Sequence, residues 1–96
     1  MAAVHRSSRS LRDDALVSDE ELLDRAVDRP AAFGVFYERH VDTVLAMARS
    51  RAPIASAFDI TAEVFAVALD SVARFRNRGP GSALAWVIGI ARHEIA

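Results

Sequence analysis

Between Asp59 and Ile95 the chain runs helix, break, helix, and this segment constrains the fold more than any other. Apolar residues at Ile60, Val64, Val67, Ala68, Val72 and Phe75 repeat at the spacing of one helical face. The polar side carries Asp59, Glu63 and Asp70, then changes sign at Arg74, Arg76 and Arg78. Asn77-Arg78-Gly79-Pro80-Gly81-Ser82 forbids continuation, because glycine and proline side by side punctuate a helix. A second helical pattern follows, with Leu84, Val87, Ile88, Ala91 and Ile95 on one stripe and Trp86 and Ile90 on a second ridge. A helix wet on one side has no use for the second ridge, so a contact is expected there.

Upstream, residues 1–17 are polar, rich in Arg and Ser, and without periodicity, which reads as a flexible tail. Ser18-Asp19-Glu20-Glu21 is a capping box: Ser18 accepts from the third backbone N–H, Glu21 reaches back, and the three acids suit the positive end of a helix dipole. Its helix has a short apolar face of Leu22, Leu23, Ala26 and Val27. Asp28 or Arg29 caps a second helix with Pro30 in its first turn, where the missing N–H costs nothing. That helix is predicted to run to about Arg51 and to bury Phe33, Phe36, Tyr37, Val41, Val44, Leu45 and Ala48. Pro53 breaks it. Ser56 is the expected cap of a third helix ending near Arg76, and Ser82 of a fourth. Four helices, short joints and no strand pattern define an all-α fold, a small bundle of about four helices over residues 18–96.

Composition narrows the function classes. The chain has no cysteine, so neither a disulfide framework nor a thiolate metal site is available, and a cytoplasmic setting is expected. Nothing in it is apolar for long enough to span a membrane, and Met1 to Arg9 lacks the apolar core of a secretory signal. The net charge of −1 would argue against a nucleic-acid partner, yet its distribution changes that reading. Residues 1–12 carry +3, residues 13–28 carry −6, residues 29–58 carry +2, residues 59–70 carry −3 and residues 71–96 carry +3. Alternating blocks suit a protein that touches a basic protein partner and a nucleic acid at different places; they also suit ordinary solvated helix faces.

Catalysis is poorly supported, and neither a metal nor a cofactor is expected. His5, His40 and His93 are too scattered for an obvious ligand set. Asp59 and Glu63 sit one turn apart and share a face, a spacing open to acid–base work but more often plain surface. Gly79-Pro80-Gly81 lacks the Lys and Ser/Thr of a phosphate loop, and its proline removes an N–H that such a loop would use.

The string Ala57-Phe58-Asp59-Ile60-Thr61-Ala62-Glu63-Val64-Phe65, with Arg74-Phe75-Arg76 and then Ala85-Trp86-Val87-Ile88-Gly89-Ile90-Ala91-Arg92, resembles region 2 of a bacterial sigma-70-type factor. It is most similar to the small extracytoplasmic-function group. The resemblance extends back through Ala32-Phe33 and Tyr37-Glu38-Arg39-His40 to Asp19-Glu20-Glu21-Leu22-Leu23, and rests on the order and spacing of the blocks. It implies a factor for transcription initiation. Asp59 and Glu63 match positions that dock on the coiled-coil of the β′ subunit of core RNA polymerase. A common family glutamine falls at Ala62 and a common acid at Phe58, which leaves fewer polar contacts. For promoter DNA, the resemblance implies that Arg76, Asn77, Arg78, Gly79, Pro80, Gly81 and Ser82, then Trp86, Arg92 and His93, hold the unpaired non-template strand of the −10 element. Such capture needs cations for phosphates, planar groups for stacking, and amides or hydroxyls for base edges. Arginines 74, 76 and 78 offer the first, Trp86 or an arginine plane the second, Asn77 and Ser82 the third. Burial of Trp86 against the second helix, and Asn77 as a simple turn former, are left open.

Two other readings compete. A helix-turn-helix repressor would place the last helix in the major groove, but Ala83-Leu84-Ala85-Trp86 offers no polar side chain where base edges would be met. A protein-interaction domain would be sigma-like but bind an anti-sigma factor, or a second copy as a homo-oligomer, without DNA. The last helix lacks a stop signal, and in the family it continues toward a second DNA-binding domain, region 4. The chain therefore reads as a truncated piece, a state that favours self-association through Trp86, Ile90 and Ile95.

Overall fold

A computed structural model describes residues 13–96. Helix α1 spans Asp19–Ala26, α2 Pro30–Arg49, α3 Ile54–Asp70 and α4 Ser82–Ile95, with a 3-10 turn at Val72–Arg74 and no strand among the described residues. The expected all-α bundle is what forms. Helix α2 packs between α1 and α3, and α4 lies along α3 while also reaching α1 and α2. The core draws Leu22 and Leu23 from α1, Phe33, Phe36 and Val44 from α2, Val64 and Phe65 from α3, and Val87 and Ala91 from α4. Phe33 and Phe65 meet edge to face with ring centroids 6.4 Å apart, tying α2 to α3.

The starts of the first two helices follow the sequence closely. The Ser18 hydroxyl accepts from the Glu21 N–H at 3.1 Å. The return half of the box is unmade, because the Glu21 carboxylate instead accepts from Arg25 Nε one turn on, at 3.2 Å. Helix α2 begins at Pro30 with Arg29 as its cap residue. It closes at Arg49, two residues short of the expected end, where the Ser50 hydroxyl donates to the Met47 carbonyl at 2.7 Å.

Four expectations need correction. Helix α3 starts at Ile54 with Pro53 itself in the cap position and no side-chain cap bond, so Ser56 is two residues inside the helix and exposed. Extended Pro53 already sets the chain's entry, and the helix starts as soon as the proline is passed. Second, α3 stops at Asp70 rather than near Arg76, and the tighter turn Val72–Arg74 follows. In 3-10 geometry residues three apart eclipse one another, which lets Val72 and Phe75 both enter the core. Third, Tyr37 is 40% exposed at the margin of the α2 face, its ring 4.9 Å from that of Phe65.

The fourth correction concerns the tail. Residues 1–12 lie outside the described residues, but residues 13–15 form a helical turn and Asp14 is fully buried. Its carboxylate accepts from Arg29 Nη2 at 2.6 Å and from Arg25 Nη1 at 3.2 Å, while Arg39 Nη2 donates to the Asp14 and Ala15 carbonyls. Arg39 also reaches Asp19 at 3.1 Å, and His40 Nε2 lies 2.8 Å from the other Asp19 oxygen. No periodicity signals such a contact; it depends on arginines 11 to 25 residues away.

The Arg29 guanidinium, helped by Arg25 and opposed by burial, holds Asp14 below the usual carboxylate range. A depressed folded-state pKa contributes stability that is fully present above the unfolded value, about 3.9, and is lost as pH falls toward the folded value. Asp14→Asn is therefore expected to cost about 1–2 kcal/mol at neutral pH. It should also flatten the loss of stability below about pH 4. Urea midpoints measured against pH for parent and variant check this; parallel curves would refute the contact's charge dependence.

Candidate nucleic-acid and protein interface

The joint between α3 and α4 is built by its own side chains. Gly79 and Gly81 have φ of +102° and +89°, which residues with a Cβ rarely adopt. Asn77 Oδ1 accepts from the Gly79 N–H at 2.9 Å, an Asx turn, so the turn-forming reading of Asn77 describes what this oxygen does. Gly81, not Ser82, is the cap residue of α4. The Ser82 hydroxyl accepts from the Arg78 N–H at 3.1 Å and donates to the Gly79 carbonyl at 2.8 Å, closing the loop on itself. Asn77 and Ser82 thus shape the loop with the groups expected to read bases.

Against this loop lies an open cleft of about 410 Å³ lined by Arg74, Phe75, Arg76, Arg78, Ser82 and Trp86. Its floor is aromatic: Trp86, half-buried, packs on buried Phe75 with ring centroids 5.4 Å apart and planes tilted by 58°. Trp86 is therefore both packed and presented, with Phe75 as its support. The Arg76 guanidinium donates to the Ala73 and Phe75 carbonyls at 3.2 Å, which holds it along the rim. Arg74, Arg76 and Arg78 are exposed and make no ion pair among the described residues. Arg74, Arg76 and Arg78 thus line one cleft with Trp86, a combination of cations and an aromatic that suits planar anionic groups.

Ser82, Trp86 and His93 recur four and seven residues apart and so share one side of α4, while Arg92 is about 100° round from His93. Arg92 lines a separate cleft of about 460 Å³ with Met47, Ser50 and Arg51, where α2 and α4 end. The structure therefore gathers Arg76, Arg78, Ser82 and Trp86, and leaves Arg92 apart.

Asp59 and Glu63 are exposed on the outward side of α3 and form no ion pair within the described residues. On another flank of α3, roughly 80–140° round from Asp59, lies an exposed apolar line that the sequence reading did not single out: Phe58 at 57%, Ile54 at 50% and Leu69 at 41% exposure. Phe75 is buried as its place on the apolar face predicts, but its support of Trp86 was not foreseen, nor was the reach of Glu20 to α4. Glu20, on α1, accepts from the Ala83 N–H at the start of α4 at 2.9 Å. A separation of 63 residues leaves no local signal for that bond.

Among the described residues, no three His, Cys, Asp or Glu side chains gather into a group that would hold a metal ion, and no helix is long and apolar enough to cross a membrane. The described residues thus form an all-α bundle with an acidic helix side, an exposed apolar line and a cationic cleft lined by aromatics. The family model for Sigma-70 region 2 matches residues 36–96, more than half of the chain, and the chain belongs to that family. It is a sigma-factor domain that acts in transcription, and domains of this kind are not catalytic. Membership implies the interactions typical of sigma factors, with core RNA polymerase and with promoter DNA. The match takes in α3, the loop and α4; the Asp19 to Leu23 block lies outside it. No curated protein and no solved structure matches the chain.

Proposed function

We propose that this domain joins core RNA polymerase through the outward face of α3, at the β′ coiled-coil, and holds the melted non-template strand of the −10 element between the loop and α4. The extracytoplasmic-function group is the setting this reading favours. The observation that carries it is the cleft, where Trp86 braced by Phe75 sits among Arg74, Arg76 and Arg78. Arginines neutralise phosphates along the strand, and half-buried Trp86 stacks on a base that has left the duplex. Asn77 and Ser82 act by holding the loop in shape, with the Asn77 amide N–H₂ still free for a base edge. His93 extends the surface along α4, and Arg92 meets phosphate beyond it.

Magnitudes allow the opening step. A stacked aromatic contributes about 1–3 kcal/mol per base, comparable to the roughly 1.4 kcal/mol by which a duplex step stacks. Trp86→Ala is accordingly expected to weaken capture of a single-stranded −10 oligonucleotide, measured with the domain bound to core polymerase, by about 5- to 150-fold. Arg76→Ala with Arg78→Ala should weaken it too, and flatten its salt dependence through fewer released counterions. Undiminished capture by a folded Trp86→Ala chain would sink the reading.

The exposed line of Phe58, Ile54 and Leu69 favours a second reading, in which this apolar flank of α3 binds an anti-sigma factor or a second copy and no DNA is held. Binding that does not weaken with salt would support it.

A further inference from the structure

We propose that Glu20 is a positioning residue for the promoter-facing loop, acting from α1 as the cap that the start of α4 lacks; this rests on the strand-capture reading above. The first N–H groups of a helix have no partner within it and need one from outside. In α4 the local supply has run out. The cap residue is Gly81, which has no side chain, and the first turn carries no acid. The neighbouring Ser82 hydroxyl is already engaged with Arg78 and Gly79. The Ser82 and Ala85 N–H groups turn to the Gly79 and Gly81 carbonyls, at 3.1 Å each. Of the remaining two, Ala83 and Leu84, Ala83 is fully buried, and its N–H is met by Glu20 Oε2.

Glu20 is 6% exposed, and a buried carboxylate is a costly way to fill space. Its advantage is direction. An accepting oxygen carried on α1 meets the Ala83 N–H in one direction and so holds the start of α4 at one place. The platform that carries it is itself tied down: Asp19, next in sequence, is held by Arg39 and His40, and Asp14 pins Arg25 and Arg29 beside it. Through Ala83, the frame of α1 and α2 therefore fixes where the Arg76–Ser82 loop ends and where Trp86, one turn further on, faces.

The test uses the chain bound to core polymerase and a fluorescent single-stranded −10 oligonucleotide, with Glu20→Gln, Glu20→Asp and Glu20→Ala. Glutamine keeps the length and an accepting oxygen, so capture stays near the parent's. Aspartate keeps the charge but is one methylene short of Ala83, and is expected to lower capture about fivefold or more, with core-polymerase affinity unchanged. Amide exchange at Ala83 and across Gly79–Ser82 should speed up in the aspartate variant and not in the glutamine one. Should Glu20→Ala fail to fold, Glu20→Asp decides. Parental capture by Glu20→Asp overturns the proposal, as does a parallel fall in capture and core affinity, which marks general destabilisation. If the parent complex captures no strand, the strand-capture reading has failed, and Ala83 exchange in Glu20→Asp alone shows whether the cap exists.

Discussion

Reversing both outward carboxylates of α3, Asp59→Arg with Glu63→Arg, is expected to abolish binding to core RNA polymerase while leaving the domain folded. Both residues are exposed and neither is paired within the described residues, so the reversal breaks no contact that holds the bundle together. Exposed substitutions of this kind usually move stability by less than about 0.5 kcal/mol. The cost falls on the interface. Like charges brought together there cost several kcal/mol, and two such reversals correspond to a loss of about 100-fold at least. Arginine is also a good helix former, so α3 itself is not weakened. Phe58 refines the expectation. It stands where the family commonly has an acid, and with Ile54 and Leu69 it forms an exposed apolar flank of α3 about 100° round from Asp59. Phe58→Ala should lower affinity mainly through faster dissociation, whereas the charge reversals should also slow association and blunt its salt dependence. Titration of the chain onto core polymerase at two ionic strengths separates these effects. Parental affinity in a folded double reversal would exclude this face as the docking site.

How much of this was legible in the sequence depends on how local each cause is. The capping residue Ser18 and Pro30 in the first turn of α2 act within a few residues of themselves, and α1 and α2 start there as expected. The break at Gly79-Pro80-Gly81 sets where α4 begins but not where α3 ends. Ser56 misled because a serine near a helix start is only one way to begin; Pro53 set the boundary by geometry alone. The 3-10 turn after Asp70 carries no glycine or proline, and its cause is tertiary, the joint burial of Val72 and Phe75. Asp14 and Glu20 were illegible for the same reason. Each is a buried carboxylate whose partners come from another helix, and from sequence each looked like one more acid in an acidic stretch. The cleft was half legible. Its arginines and Trp86 announce themselves, but that Phe75 braces Trp86 follows only once α3 has ended early and turned the chain under α4.

Phe36→Ala is expected to be the most destabilising single substitution in the bundle, and it shows how the two faces depend on one core. Among the described residues, Phe36 is the largest side chain with no exposed surface. Its ring lies 5.8 Å from that of Phe33 and 4.8 Å from that of His40, so it contacts neighbours on both sides along α2. Truncating a buried phenylalanine to alanine costs about 3–5 kcal/mol, the lost transfer of the ring plus the cavity left behind. Small domains hold only about 5–15 kcal/mol in total, and one of 96 residues buries a comparatively small share of its surface. The variant should therefore populate unfolded chains visibly, with a much lower urea midpoint and an unchanged slope. Phe36→Leu, which keeps most of the volume, should cost clearly less. Because α1 and α3 both pack on α2, losing the ring loosens the seat of Glu20 and the backing of the Asp59 face together. Core-polymerase binding and strand capture should then fall in step with the folded fraction, unlike Trp86→Ala, which weakens capture and spares core binding. A urea midpoint for Phe36→Ala close to the parent's would mean that the core is not organised around this ring.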